Sequence, residues 1–198
     1  MTSIFKILDD KEIQYAVLKG RYDDQSYEYE KIGFKKDLDL VLNCNNTDII
    51  DYLKKENVFK YLEENSFLDI ENNLRIDFYF KAINVGYYHF LKIDVDSFLN
   101  KKVSEKEYII YQLLDPLLKF SKYHIRHQYR LERYFTSGIP VGVEACLDRI
   151  IGKKFSVQLL KKILDSKYDV KPIFIKLYKF KMLFINGNFV RMIKSRIF

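Results

Sequence analysis

The sequence predicts an α/β (α+β) fold: a small mixed sheet with helices over residues 1–100, then a helical domain over residues 101–198. Three observations carry this prediction. Residues 36–43 and 74–80 alternate between apolar and other side chains with the period of a strand. From Ser104 onward the apolar residues recur mostly at three- and four-residue spacing, the period of a helix. The 198 residues are 48% hydrophobic and 16% aromatic with only seven Gly and three Pro, which suits a packed core and excludes a disordered or collagen-like chain.

The elements follow in order. A short amphipathic helix is expected over residues 3–13, with Thr2 as N-cap and Ile4, Phe5, Ile7 and Leu8 on its apolar side. Tyr15-Ala16-Val17-Leu18 reads as a short buried strand ended by Lys19-Gly20, and the polar stretch 21–33 reads as a loop. In the strand over 36–43, Leu38, Leu40 and Leu42 share one face, while Asp37, Asp39 and Val41 share the other. Thr47 is the candidate cap of a helix over 48–56. Strand-like pieces near 58–62 and 67–70 come next, and Asn72-Asn73 reads as a hairpin turn leading into 74–80. There Leu74, Ile76, Phe78 and Phe80 face one way, and Arg75, Asp77 and Tyr79 the other. Ser104, followed by Glu105 and Glu107, caps a long helix that Pro116 is expected to kink or divide. Breaks near 138–140, Gly152, Lys171-Pro172 and Gly187 punctuate the remainder.

Charge is segregated. Residues 1–99 hold 13 Lys and Arg against 19 Asp and Glu, a net −6; residues 100–198 hold 21 against 8, a net +13. An acidic half suits a cation and a basic half suits an anion, although a Lys-, Asn- and Ile-rich composition also accompanies an AT-rich genome. Cys44 and Cys146 form no metal-ligand or redox spacing, so plain thiols in a reducing compartment are expected. Asp9, Asp10 and Glu12 interrupt any signal-peptide core, and no uncharged apolar run reaches a membrane-spanning length. A cytoplasmic protein is expected.

Asp37 and Asp39 occupy alternate positions of one strand, about 6–7 Å apart along the chain. Carboxylates on an otherwise apolar strand are costly to desolvate unless compensated, and Mg²⁺ supplies the compensation while leaving room for substrate phosphates. If the 74–80 strand pairs with this one, Asp77 joins them, and three carboxylates suffice for the metal sites of phosphoryl or nucleotidyl transfer. The plainer reading is a solvated face of an amphipathic sheet.

The runs Val17-Leu18-Lys19-Gly20, Asp37-Leu38-Asp39-Leu40-Val41 and Arg75-Ile76-Asp77-Phe78 resemble the DNA polymerase β-like nucleotidyltransferase superfamily. They look closest to its small bacterial members, over about residues 13–80. That resemblance implies Asp37, Asp39 and Asp77 as ligands of Mg²⁺ (or Mn²⁺), with Asp77 also the general base toward an acceptor hydroxyl. It implies phosphate contacts from Lys19, Gly20 and Arg21; where the family has Gly or Ser after its first Gly, this chain has Arg21. It also implies an NTP, ATP among them, as donor and a small molecule such as a sugar as acceptor, as in bacterial surface-polysaccharide metabolism.

Lys119, Lys122, Arg126, Arg130 and Arg133 recur at three- and four-residue spacing and are expected to form one stripe on a helix. The stripe is either a phosphate-binding face, with Lys122, Arg126 and Arg130 as its candidates, or a solvated one. His124 and His127 sit in the same segment without the Cys or acidic partners a zinc site needs. Residues 171–198 carry seven basic residues and no acidic one among Phe, Ile, Leu and Met. A core-packing helix with outward lysines, an anionic membrane surface and a nucleic-acid contact are the three readings. The leading expectation is a Mg²⁺-dependent nucleotidyltransferase. A catalytically inactive nucleotide-binding or regulatory protein of the same fold, and a basic nucleic-acid- or membrane-binding protein, are the alternatives.

Overall fold

The computed structural model describes residues 4–19, 37–63, 65–85, 88–184 and 188–197. It is a mixed α+β protein in which a run of helices follows the sheet. Contacts gather into two units, Met1–Ala82 with Ile93–Val103, and Ile83–Lys92 with Ser104–Phe198.

In the first unit, helix α1 (Ile4–Asp10) leads into strand β1 (Tyr15–Lys19). Strand β2 (Asp37–Leu42), helix α2 (Asn46–Leu53), and strands β3 (Phe59–Glu63), β4 (Ser66–Asp69) and β5 (Leu74–Phe80) follow. The strands form one sheet in the order β1-β2-β5-β4-β3. Only the β2–β5 pairing among these is parallel, because α2 and the β3–β4 hairpin carry the chain across between the two strands. The expected 72–73 turn is present: Asp69 pairs with Leu74, and the Asp69 carboxylate accepts from the Asn72 backbone N–H at 3.0 Å and from its side-chain amide at 2.8 Å.

Strand alternation decides which side chains go inward. Leu38, Leu40, Leu42, Ile76 and Phe78 pack with Ile4, Ile7 and Leu8 of α1 and with Ile49, Ile50 and Leu53 of α2, around a fully buried Phe67. All the inward residues of β2 have even numbers, so the odd-numbered Asp37 and Asp39 project from the opposite face. Two local expectations are corrected. The first helix stops at Asp10, where Glu12 takes a positive φ of 55°. The second begins at Asn46 with Asn45 at its N-cap position, so Thr47 lies inside the first turn rather than capping it.

Helix α3 (Val95–Leu99) also belongs to the first unit, and the segment after it runs beside β1. Val17 donates to the Lys101 carbonyl at 3.0 Å and accepts from Val103 at 3.1 Å.

The second unit contains the β6–β7 ribbon (Ala82–Val85 and Tyr88–Lys92) from Ile83 onward, for which the sequence offered no assignment, and six described helices. These are α4 (Glu105–Phe120), α5 (Ile125–Phe135), α6 (Val143–Ile151), α7 (Lys153–Leu164), α8 (Pro172–Leu183) and α9 (Asn188–Ile197). Ser104 caps α4 in a full capping box, its hydroxyl accepting from the Glu107 N–H while the Glu107 carboxylate accepts from the Ser104 N–H. Pro116 lies within α4 without dividing it. Gly152 at φ 84° separates α6 from α7, and Pro172 opens α8 in the first helical position, where its missing N–H costs nothing.

Candidate metal centre

The three expected carboxylates meet. Parallel pairing sets Asp39 directly beside Asp77 and Asp37 beside Arg75 across β2 and β5. Asp37, Asp39 and Asp77 each offer a carboxylate oxygen, and these oxygens lie within 4.8 Å of one another. Among the described residues, this is the cluster of acidic, His or Cys side chains placed to hold a cation.

The surroundings are not those of a solvated sheet face. Asp39 is only 3% exposed, and Ala16, Leu18, Val41 and Tyr79 on the same side of the sheet are buried as well. Asp37 and Asp77 are half-buried at the open edge of this patch. Like charges at such separations repel more strongly away from bulk water, so the arrangement favours a positive partner.

One such partner is built in. The Arg75 Nε donates to both oxygens of Asp77, at 2.9 and 3.1 Å. Its Nη2 donates to Glu63 Oε1 and to Ser66 Oγ, each at 3.0 Å. Ser66, which pairs with Asp77 across β4 and β5, donates its hydroxyl to Asp77 Oδ1. Burial by itself works to lower the Arg75 pKa, but the hydrogen bonds and charges of Asp77 and Glu63 outweigh it and raise the value. The guanidinium is therefore a fixed cation at one side of the cluster. The donor set is all oxygen, which suits Mg²⁺ or Mn²⁺ and not a thiolate-preferring metal.

Lys19 stands opposite Asp39 in the β1–β2 pairing, where the register shifts after Val17, so its backbone reaches the carboxylate patch. Gly20 and Arg21 lie outside the described residues.

The expected basic stripe is not one helix face. Ser121 adopts a left-handed φ of 59° and ends α4, so Lys119 is on α4, Lys122 is in the connection, and Arg126, Arg130 and Arg133 are on α5. Arg130 is also turned inward: it is 8% exposed and donates to Gln112 Oε1 of α4 at 3.3 Å, beside the His127 Nδ1 contact to the same oxygen at 3.2 Å. The three- and four-residue spacing was real, but a residue that leaves the helical region resets the phase of everything beyond it.

Ser66 and Glu63 are the residues around the cluster that sequence reading missed. Their signal was available in the hairpin register: a turn at 72–73 that pairs Asp69 with Leu74 places Ser66 opposite Asp77.

The chain matches no protein-family model, no curated protein and no solved structure.

Proposed function

We propose that the carboxylate face of the first unit is the centre of a Mg²⁺-dependent nucleotidyltransferase. It would move a nucleoside monophosphate from an NTP to a hydroxyl of a small-molecule acceptor, such as a sugar. The observation that carries this reading is the side-by-side placement of Asp39 and Asp77 on parallel strands, with Asp37 in reach of both. The L-K-G, D-L-D-L and R-I-D runs agree with it.

Asp37, Asp39 and Asp77 would hold the cation, which supplies positive charge where the triphosphate accumulates negative charge. Asp77 accepts the acceptor's hydroxyl proton, and Arg75 and Ser66 fix its carboxylate so that the accepting oxygen stays aimed. The freed acceptor oxygen bonds to the α-phosphorus, the α–β bridging P–O bond breaks, and pyrophosphate leaves. Lys19, next to the cluster through its backbone, is the candidate phosphate contact.

A second reading has a specific observation behind it. The Arg75 guanidinium already neutralises Asp77, as in a protein that binds a nucleotide without turning it over.

Thermal melting with Mg²⁺ and each NTP in turn, on wild type and on Asp37→Asn/Asp39→Asn, tests both. Binding to the native state raises Tm by mass action, about 2.7 kcal/mol at a hundredfold excess over Kd. A metal-dependent rise lost in the double variant supports the site, and pyrophosphate release with a hydroxyl acceptor then separates enzyme from binder. No rise with any NTP, or a rise that survives the double variant, removes the proposal.

A further inference from the structure

Helix α8 has two apolar faces. Ile175, Tyr178 and Met182 are buried in the second unit. On the opposite side Ile173, Leu177 and Phe180, and Phe184 at the C-cap, recur at four- and three-residue spacing and are exposed, Phe180 to 62% and Phe184 to 66%. A surface helix of a globular protein normally carries one apolar stripe, and the second stays exposed among the described residues of the unit. The strip continues onto α9. Phe184 meets Phe180 edge-on, with centroids 5.4 Å apart, and stacks on Phe189 at 5.9 Å with an interplanar angle of 12°. Val190 and Ile193 extend it.

Cations border this strip. At about 100° per residue, the exposed Lys176 falls beside the Ile173–Leu177–Phe180 line, whereas Lys179 donates to Ser121 Oγ at 3.4 Å and Lys181 lies 6.0 Å from the Phe155 ring, both turned toward the rest of the unit. Lys194 is exposed on α9, and no acidic residue occurs from 171 to 198.

We propose that the α8–α9 strip is a docking surface for an anionic lipid bilayer. The fringe of positive charge demands an anionic occupant. Protein interfaces are depleted in Lys, whereas Phe and Leu on one face with Lys along its borders is the composition of helices that lie in the membrane interface. The rings enter the headgroup–acyl boundary while the lysine stems lie along it and their ammonium groups meet lipid phosphates. No described helix is long and apolar enough to cross a membrane, so the attachment is peripheral. The proposal stands independently of the carboxylate site.

The chain contains no Trp, so Phe184→Trp in the full chain gives a single fluorescent reporter on the strip. Vesicles of equal parts phosphatidylglycerol and phosphatidylcholine should shift its emission to the blue and sediment the protein. Pure phosphatidylcholine should bind at least tenfold more weakly. Phe180→Ser/Phe184→Ser should lower partitioning at least tenfold and Tm by only a few degrees, because both rings are mostly exposed and lose little beyond their contacts with each other and with Phe189. Lys176→Gln and Lys194→Gln should each lower it about fivefold, and added salt should act in the same direction. If the serine double variant does not fold, the reporter and the two lysine variants still decide. No binding to anionic vesicles overturns the proposal, as does binding indifferent to these variants. So does a dimer that the serine variant dissociates while vesicles bind neither form, since a second copy would then cover the strip.

Discussion

At the scale of single residues, Arg75 is the informative position. It holds Asp77 at 2.9 Å and Glu63 at 3.0 Å, and so discharges part of the repulsion that three neighbouring carboxylates create. Arg75→Gln should therefore lower stability without metal, by about 1 kcal/mol given its exposure. It should also enlarge the Tm rise that Mg²⁺ produces, because the cation then relieves more repulsion. Asp39→Asn should behave oppositely, keeping or raising the metal-free Tm while losing the Mg²⁺ response. A Mg²⁺ titration by differential scanning calorimetry on the pair checks this, and equal Mg²⁺ responses in wild type and both variants would detach the cluster from any cation. The Asp trio was legible in the sequence because strand period alone puts residues 37, 39 and 77 on definite faces. Whether those faces met was not, since that depends on β2 and β5 pairing in parallel register across a separation of nearly forty residues. Buried Arg130 shows the converse. Its sequence surroundings are those of a solvated basic helix, and only the packing of α5 on α4 turns it inward toward Gln112.

At the scale of elements, local signals held where they were chemically complete. Ser104 and Glu107 form the reciprocal capping box that their spacing predicts, with Glu107 itself 1% exposed. Ser104→Ala removes the acceptor for one N–H and a hydroxyl donor to the buried carboxylate, so it should cost about 2 kcal/mol in urea denaturation, the upper end for caps. A change below about 0.5 kcal/mol would show that the cap contributes little to α4. Pro116 was a weaker guide. It leaves the Gln112 carbonyl without its intrahelical donor, yet α4 continues because Leu113, Leu114, Leu117 and Leu118 bury its length. The β6–β7 ribbon gave no clear alternation, and its His89 is an acid-sensitive point. Burial first, and then the charge of Arg191, push His89 down from 6.5 to about 4. Between those values the unfolded chain binds a proton that the folded chain refuses, so the contribution is whole above pH 6.5 and is lost as pH falls toward 4. Tm measured from pH 7.5 to 4.5 should fall more steeply for wild type than for His89→Gln, and parallel curves would refute the assignment.

At the scale of the whole molecule, the chain crosses between its two units more than once, and that crossing has a measurable consequence. Composition announces the change from acidic to basic and from strand to helix near residue 100, but it says nothing about which long-range contacts 83–92 will make. A two-stranded ribbon is marginal alone, so β6–β7 must borrow its stability from a neighbour. It does so from α4 and α8, which both pack on β7, and from Asn188 of α9. That amide is fully buried, accepts from the His89 N–H at 2.8 Å, and donates to the His89 carbonyl at 3.3 Å and to the Met182 carbonyl at 2.7 Å. Ile83 and Phe90 of the ribbon are buried as well. A fragment spanning 83–198 should accordingly melt cooperatively. A fragment spanning 104–198 loses the Phe90 side chain, worth about 3–5 kcal/mol, and strands the Asn188 amide in an apolar site. Its Tm should fall by on the order of 20 °C, or its transition should broaden until no single Tm can be assigned. Circular dichroism on the two fragments decides the matter: equal melting would mean that the helices complete their own core, and that the ribbon is an appendage rather than part of the unit.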